Sequence, residues 1–307
     1  MVSNTKYSKV SKWSFYRAKD MALAMLEGSV AEQYEILDDY CNRLLATNPG
    51  STAKIKTKMI GEKRVFERVY ICLKACKDGF RNSCRLLICL DGTFLKGYCK
   101  GILLVVVGID AENAIFSIAY AVCEKETIDS WSWFCDLLKT DLESERPDLY
   151  TFMSDKQKGL DNAVGRVFTG SDVKHCVRHL YSNFKKIFPD LLMKQMSWVA
   201  ARATIIAEFD RRMVEIKEVN VAAYNWLVAK PRTEWTKAYF SEGVKGDDLL
   251  NNLCESFNNA ITDARDKSII TLLEKLRYWL MCRFQKKRET VTRWNEPVGK
   301  NIRKLIE

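Results

Sequence analysis

Residues 101–109, GILLVVVGI, and 114–122, AIFSIAYAV, are two runs rich in β-branched and aromatic residues, and only DAEN separates them. Such side chains fit a pleated sheet, and a short polar insert between two such runs signals a hairpin. CRLLICL at 84–90 reads as the strand before them, so three consecutive strands form an antiparallel meander; VFERVYICL at 65–73 reads as a further strand ahead of it. Next, Thr127 is suited to cap a helix whose apolar face is Ile128, Trp131, Cys135, Leu138 and Leu142. A helical crossover returns a strand in the same direction, so LYTFMSD at 149–155 should lie parallel to the first strand of the meander. GLDNAVGRVF then reads as a helix, VKHC as a short strand and RHLYSNFKKIF as another helix. The expectation is an α/β fold around a mixed sheet of order 3-2-1-4-5, counted from CRLLICL.

The flanking regions carry the other periodicity. Trp13, Tyr16, Ala18, Met21 and Met25 recur at helical spacing, and Ser29 with Glu32 forms a capping box for a second helix whose stripe is Tyr34, Leu37, Cys41 and Leu44. TNPGS at 47–51 stops that helix, because proline cannot continue the ladder. Residues 190–245 show helix-like stretches and little strand signal. The segment 249–289 gives two helices split near Lys267, with Ser268 capping the second.

At 307 residues and 47% hydrophobic composition, the chain can bury a substantial core. No apolar run approaches the roughly 18 residues of a membrane span, and the first twenty residues lack the apolar segment of a secretory signal. A soluble intracellular protein without a membrane partner is expected. The eleven cysteines are odd in number, irregularly spaced and mostly in apolar stretches, as expected of reduced core thiols. The net charge of +10 suits a polyanion such as nucleic acid.

The order 3-2-1-4-5 places the first and fourth strands side by side where the order reverses, and ligands of open α/β sheets bind at such switch points, at the strand carboxyl ends. Asp91 falls at the end of the first strand and Asp155 at the end of the fourth. Asp91 precedes Gly92, so it can equally be the first residue of a hairpin turn; Asp155, before KQKG, can cap a helix or start a turn. Two carboxylates on adjacent strand ends can share divalent cations, and a third completes a two-ion phosphoryl-transfer site. Glu255 is the candidate. In NNLCESFNNAIT, Leu253, Phe257 and Ile261 form the buried stripe, which leaves Asn251, Asn252, Glu255, Asn258 and Asn259 on polar faces. Asparagine is a poor helix former, so these residues can instead serve phosphate oxygens or water around the metals. Taken alone, Glu255 also reads as a solvated helix residue. His175 and His179 are the only histidines and share one stretch with Cys176, half a zinc site at most; packing or positioning beside the carboxylates is the competing role.

LDGTFLKG, VVGIDAEN, AYAVCEKETIDSWSWF, TFMSDKQKGL, HCVRHLYSNFKK and NNLCESFNNAI resemble, in order, the catalytic region of plant Mutator-like element (MULE, MuDR-type) transposases, from about Trp13 to Glu289. The resemblance implies an RNase H-like fold interrupted by a helical insertion, Asp91, Asp155 and Glu255 as a DDE triad binding Mg²⁺ or Mn²⁺ as an ion pair, and Cys176 and His179 as the family's CxxH motif. The implied division is an N-terminal helical linker region (1–63), the first part of the core (64–188), the insertion (189–246), core helices carrying Glu255 (247–290) and a tail (291–307). The family's N-terminal zinc-type DNA-binding domain and C-terminal SWIM zinc finger have no counterpart in these residues, the expectation for a fragment, a decayed copy or a derived host gene.

The expected function is metal-dependent DNA cleavage and strand transfer at transposon ends. Lys96, Lys156, Lys158, Arg178, Lys185 and Lys186, with Asn252, Asn258 and Asn259, are the candidates to contact DNA. A homo-oligomer is expected from joining two DNA ends, and nuclear residence from the substrate, with RFQKKR as a short basic signal. The competing functions are a transposase-derived, non-catalytic DNA-binding or transcription-regulating protein, and an RNase H-type nuclease acting on RNA–DNA hybrids.

Overall fold

The computed structural model of the protein describes residues 11–27, 29–97, 100–143, 146–240, 249–293 and 299–306. Residues 1–10 of the expected helical region, 241–246 of the expected insertion and 294–298 of the expected tail lie outside them. In chain order the elements are α1 (Lys12–Glu27), α2 (Val30–Glu35), α3 (Leu37–Thr47), β1 (Thr52–Ile60), β2 (Lys63–Cys72), α4 (Lys74–Ser83), β3 (Cys84–Phe94), β4 (Ile102–Asp110), β5 (Ile115–Cys123), α5 (Ile128–Leu142), β6 (Thr151–Ser154), α6 (Lys158–Val167), β7 (Asp172–His175) and α7 (Val177–Lys185). There follow α8 (Leu191–Arg202), α9 (Ile206–Val219), α10 (Val221–Val228), α11 (Asn252–Ala260), α12 (Ile269–Thr292) and α13 (Lys300–Ile306). Among the described residues no helix is long and apolar enough to cross a membrane.

The sheet is mixed and has seven strands in the order β1-β2-β5-β4-β3-β6-β7. The expected order 3-2-1-4-5 therefore does not describe the whole sheet: it runs only from β5 to β7, and β1 and β2 extend the sheet beyond β5, with β2 antiparallel to both β1 and β5. The stretch 1–63 is accordingly not all helical. In TAKIKTKMI the lysines at 54, 56 and 58 alternate with Ala53, Ile55, Thr57 and Met59, the period-2 pattern of an edge strand that lysine protects from further pairing. Gly61, at φ +61°, supplies the left-handed turn between β1 and β2.

Three further expectations change. The stripe assigned to one helix is broken at Ile36 into α2 and α3, although the Ser29–Glu32 capping box forms as read. Trp13, Met21 and Met25 of α1 are exposed rather than packed. A helix absent from the sequence reading, α4, connects β2 to β3 and buries Cys76 and Phe80.

Strand alternation divides the core into two layers. Leu87 and Cys89 of β3, with Val105 and Val107 of β4, face α3, α11 and α12, whereas Ile88, Leu90, Leu104 and Val106 face α4, α5 and α6. All nine residues of β4 are buried, so the strand is covered on both sides. Truncating a fully buried leucine such as Leu104 to alanine costs about 2–5 kcal/mol. A third cluster, built by α7, α8, α9 and α10 around Phe184, Phe209, Leu227 and Trp235, forms the helical region after β7.

Candidate metal and nucleic-acid site

The sheet changes character between β3 and β6, where the antiparallel half meets the parallel strands β6 and β7. Cys89 of β3 is level with Met153 of β6. Two residues further along come Asp91 and Asp155, so the register places both carboxylates at one height just past the last β3–β6 pair; Asp155 follows the end of β6, whereas Asp91 lies within β3 rather than at the strand end expected from the sequence. The two-residue step also directs Asp91 to the face of Cys89, which is covered by α11.

Asp91 is not a turn residue. It is paired with Val105, Gly92 with Leu104, and β3 continues to Phe94. Gly92 has a different role: a Cβ built there would lie 2.7 Å from Oε1 of Glu126. The glycine leaves the space in which that carboxylate sits. Glu126 precedes the helix cap Thr127, and the indole Nε1 of Trp131 donates to its Oε1 at 3.1 Å. Sequence reasoning missed Glu126 because its position depends on a side chain that Gly92 does not have. The only sequence signal was its position immediately before the α5 cap.

Helix α11 supplies the amides. Asn258 Nδ2 donates to Asp91 Oδ2 at 2.7 Å, while the Gly92 N–H donates to Oδ1 at 2.9 Å. Asn251 Nδ2 donates to the Leu90 carbonyl at 3.2 Å and to Asp155 Oδ1 at 3.4 Å. Asn251 does not lie on a polar face: it is buried as the N-cap residue of α11, and its Oδ1 has no hydrogen-bond partner among the described residues. The buried stripe of α11 is Cys254, Phe257 and Ile261, with Leu253 only partly covered.

The electrostatics follow from this crowding. Burial first, then the charge of Asp155, with Glu126 adding to it, pushes the Asp91 carboxyl from 3.8 up to about 7. Asp155 is also raised, mainly by burial and further by Glu255, with His179 and the Asn251 amide opposing. Glu126 is raised by burial, with Asp155 contributing. Glu255, from the first turn of α11, reaches this group only through its charge on Asp155. Its Oε2 accepts from Arg178 Nη1 at 2.5 Å, and Arg178 Nη2 donates to Asn252 Oδ1 at 2.7 Å.

Residues 87–183, from β3 to α7, match the family model of the MULE transposase domain. Over that segment the chain is similar to a Mutator-like transposase domain. No curated protein matches the chain. The matched segment contains Asp91, Glu126, Asp155, Cys176 and His179, while Glu255 lies beyond it. The domain points to a transposase-related function and to interaction with DNA.

Within the Mutator-like domain the two histidines separate. His179 Nδ1 lies 3.1 Å from Asp155 Oδ1, an ion-pair distance without hydrogen-bond alignment, and with Cys176 Sγ these ligand atoms lie within 4.8 Å of one another. Three such donors fall short of the four of a closed zinc site. Cys176 is buried, burial raises its thiol, and its Sγ accepts from the Asn251 N–H at 3.4 Å, so it helps to seat the start of α11. His175 turns elsewhere: Nδ1 is 2.9 Å from Glu234 Oε2, and Nε2 is 3.2 Å from both oxygens of Asp161.

Of the candidate DNA contacts, Arg178, Asn252 and Asn258 surround the carboxylates as described. Lys156, at φ 59°, pairs with Glu234 at 3.0 Å. Lys96 is exposed just after β3, its N–H donating to the Arg265 carbonyl at 2.8 Å. Lys185 and Lys186 are exposed at the end of α7, with Lys186 donating to Asn183 Oδ1 at 3.2 Å. Asn259 is exposed on α11. Lys158 is the first residue of α6, and its side chain lies outside what is described.

Proposed function

We propose that the protein is the catalytic region of a DDE-type transposase with an RNase H-like fold, cleaving DNA strands at transposon ends and joining them to target DNA. The observation that supports this is the convergence of Asp91 and Asp155 on adjacent parallel strands, just past their last paired residues and inside the segment that matches the Mutator-like domain, with too little positive charge to balance them. Strongly perturbed carboxylates at a sheet switch point are candidates for a functional site.

The donor set fits a hard divalent cation. Carboxylate oxygens suit Mg²⁺ or Mn²⁺, and the burial and like charge that raise Asp91 and Asp155 are what a cation would offset. On this reading Asp91, Asp155 and Glu255 hold the metal, with Glu126 as a fourth carboxylate. A two-ion arrangement would activate the attacking oxygen and stabilise the leaving one. The chain's own residues do the positioning. Asn258 and the Gly92 N–H fix both oxygens of Asp91, buried Asn251 fixes Asp155, and Arg178 tracks phosphate once it releases Glu255. The protein would work on nuclear DNA, as a homo-oligomer that holds two DNA ends together.

Mn²⁺ binding, read by calorimetry or paramagnetic resonance, tests this reading on the wild type and on folded Asp91→Asn and Asp155→Asn variants. Binding by the wild type that both variants lose is the expected result. Binding no better than that of the variants overturns the catalytic reading and leaves the second one, a transposase-derived DNA-binding or transcription-regulating protein without catalysis. One contact favours that second reading: the 2.5 Å Arg178–Glu255 pair occupies the third carboxylate. Cleavage of duplex DNA in preference to RNA–DNA hybrid separates the transposase from an RNase H-type nuclease.

A further inference from the structure

Both chain neighbours of Asp155 are tied into one closed ring of polar side chains. The Ser154 hydroxyl, buried at 3% exposure, donates to Asp161 Oδ1 of α6 at 3.3 Å and accepts from the Lys156 N–H at 3.4 Å. From Asp161 the ring passes to His175 at the end of β7, whose Nε2 lies 3.2 Å from both carboxylate oxygens. His175 Nδ1 lies 2.9 Å from Glu234 Oε2, and the same oxygen accepts from Lys156 Nζ at 3.0 Å. The circuit therefore returns to the residue after Asp155. The Asp155 carboxylate itself stays outside it, facing Asn251 and His179.

The backbone shows what the ring holds. Lys156 has φ 59°, in the left-handed region that a lysine rarely adopts. Such a conformation persists where its surroundings over-determine it, and here both the N–H and the ammonium of Lys156 are engaged. Its ion pair is half exposed and is a weak tie by itself. Glu234, however, is fixed on either side: buried Lys174 donates from Nζ to the Thr233 and Tyr239 carbonyls at 2.5 and 2.6 Å.

The strand ladder does not do this work. The last β6–β7 pair is Ser154 with His175, so the pairing stops one residue short of Asp155. Groups that orient a ligating side chain from outside the site govern how well it binds metal.

We propose that His175 and Glu234 are positioning residues for Asp155. Through Asp161 and Ser154 on one side and Lys156 on the other, they hold the backbone at Asp155, and the segment around Glu234 sets the geometry of a metal site to which it contributes no ligand. The proposal rests on the catalytic reading for the metal, and adds the device that aims one of its carboxylates.

Two measurements on the full chain keep the two readings apart. In EDTA, amide hydrogen exchange of residues 153–158, read by mass spectrometry, reports the backbone with no metal present. Ser154→Ala and Glu234→Gln should each speed that exchange about tenfold while leaving β4, the folding control, unchanged. Mn²⁺ affinity, read by paramagnetic resonance, should fall about tenfold in each variant. Ser154→Ala alters no charge, and it carries the test if Glu234→Gln does not fold. The loss in Glu234→Gln should persist at about 0.5 M salt, where the through-space effect of the missing charge is screened. The double variant should lose little more than either single one, because both open the same ring. At the same salt, adding Lys156→Asn to Glu234→Gln should recover most of the affinity, since asparagine adopts the left-handed backbone without the ring. Unchanged exchange at 153–158, wild-type Mn²⁺ affinity in Ser154→Ala, or a double variant weakened about a hundredfold overturns the proposal. A wild-type chain that binds no Mn²⁺ overturns the catalytic reading instead, and the exchange in EDTA then decides by itself whether the ring holds Asp155.

Discussion

Two groups of enclosed carboxylates lie against the same sheet and are treated in opposite ways. Asp141, on α5, is 4% exposed. Thr52 Oγ1 donates to its Oδ1 at 2.6 Å, Tyr70 OH to its Oδ2 at 2.8 Å, and Lys77 Nζ pairs with it at 2.8 Å. Every part of that charge is answered. Asp91 and Asp155, at the switch point, are both raised by burial, with Asp155 and Glu126 adding negative charge beside Asp91 and Glu255 beside Asp155; amides oppose this at Asp91, and His179, the Asn251 amide and Arg178 oppose it only in part at Asp155. A balanced buried charge is costly to unbalance, whereas a surplus of like charge costs stability as it stands and is a candidate for completion by a ligand.

The largest expected effect tests the balanced side. Lys77→Met leaves Asp141 buried without its cation and should cost about 3–5 kcal/mol, measured by urea unfolding. A loss below about 1 kcal/mol would mean that the two groups are not different in kind. The switch point should respond with the opposite sign. Asp91→Asn removes the repelling charge and should stabilise the metal-free protein by roughly 2–4 kcal/mol near pH 8, while abolishing Mn²⁺ binding.

The pH dependence sharpens that sign. The Asp91 carboxyl is raised from 3.8 to about 7 in the folded protein, so the folded state binds the proton more tightly than the unfolded one. The stability this contributes is full below pH 3.8 and is lost as pH rises through about 7. In EDTA, the wild type should therefore fall behind Asp91→Asn across that window and match it at the acidic end. Mn²⁺ near pH 8 should raise the wild-type melting temperature and leave the variant unmoved. Parallel pH profiles for the two proteins would contradict the assignment.

A smaller effect concerns the space at Gly92. Gly92→Ala should displace the Glu126 carboxylate and weaken Mn²⁺ binding about tenfold, the scale of losing a residue that supports a metal site. Adding Glu126→Ala should recover folding stability but not affinity. Non-additivity in stability with no effect on Mn²⁺ would make Glu126 a packing residue. The smallest effect is at Arg178, about half exposed in its pair with Glu255. Arg178→Ala should change stability by less than about 1 kcal/mol, yet lower DNA affinity and reduce the salt slope by about one unit.

Much of the switch point was legible because its geometry follows from connection rules. The meander, the crossover through α5 and the parallel return of β6 set Asp91 beside Asp155 before any side chain is packed. Strand β1 was harder to read, since its lysine-rich alternation resembles a polar linker until it is paired with β2. Helix α4 was hidden because its ten residues fall between two strong strand signals and have no capping side chain.

The sequence by itself determined the central strands, the crossover helix, the place of Asp91 and Asp155 on neighbouring strand ends, and the Mutator-like motifs, because strand period, crossover handedness and residue identity are local or nearly so. Tertiary structure alone decided that Gly92 makes room for Glu126 and that Asn251 is sealed under Asp155. It also decided that Arg178 holds Glu255 and that His175 and His179 part company. Each of these depends on which side chains meet across elements far apart in the chain, where burial and mutual charge, rather than spacing, set the outcome.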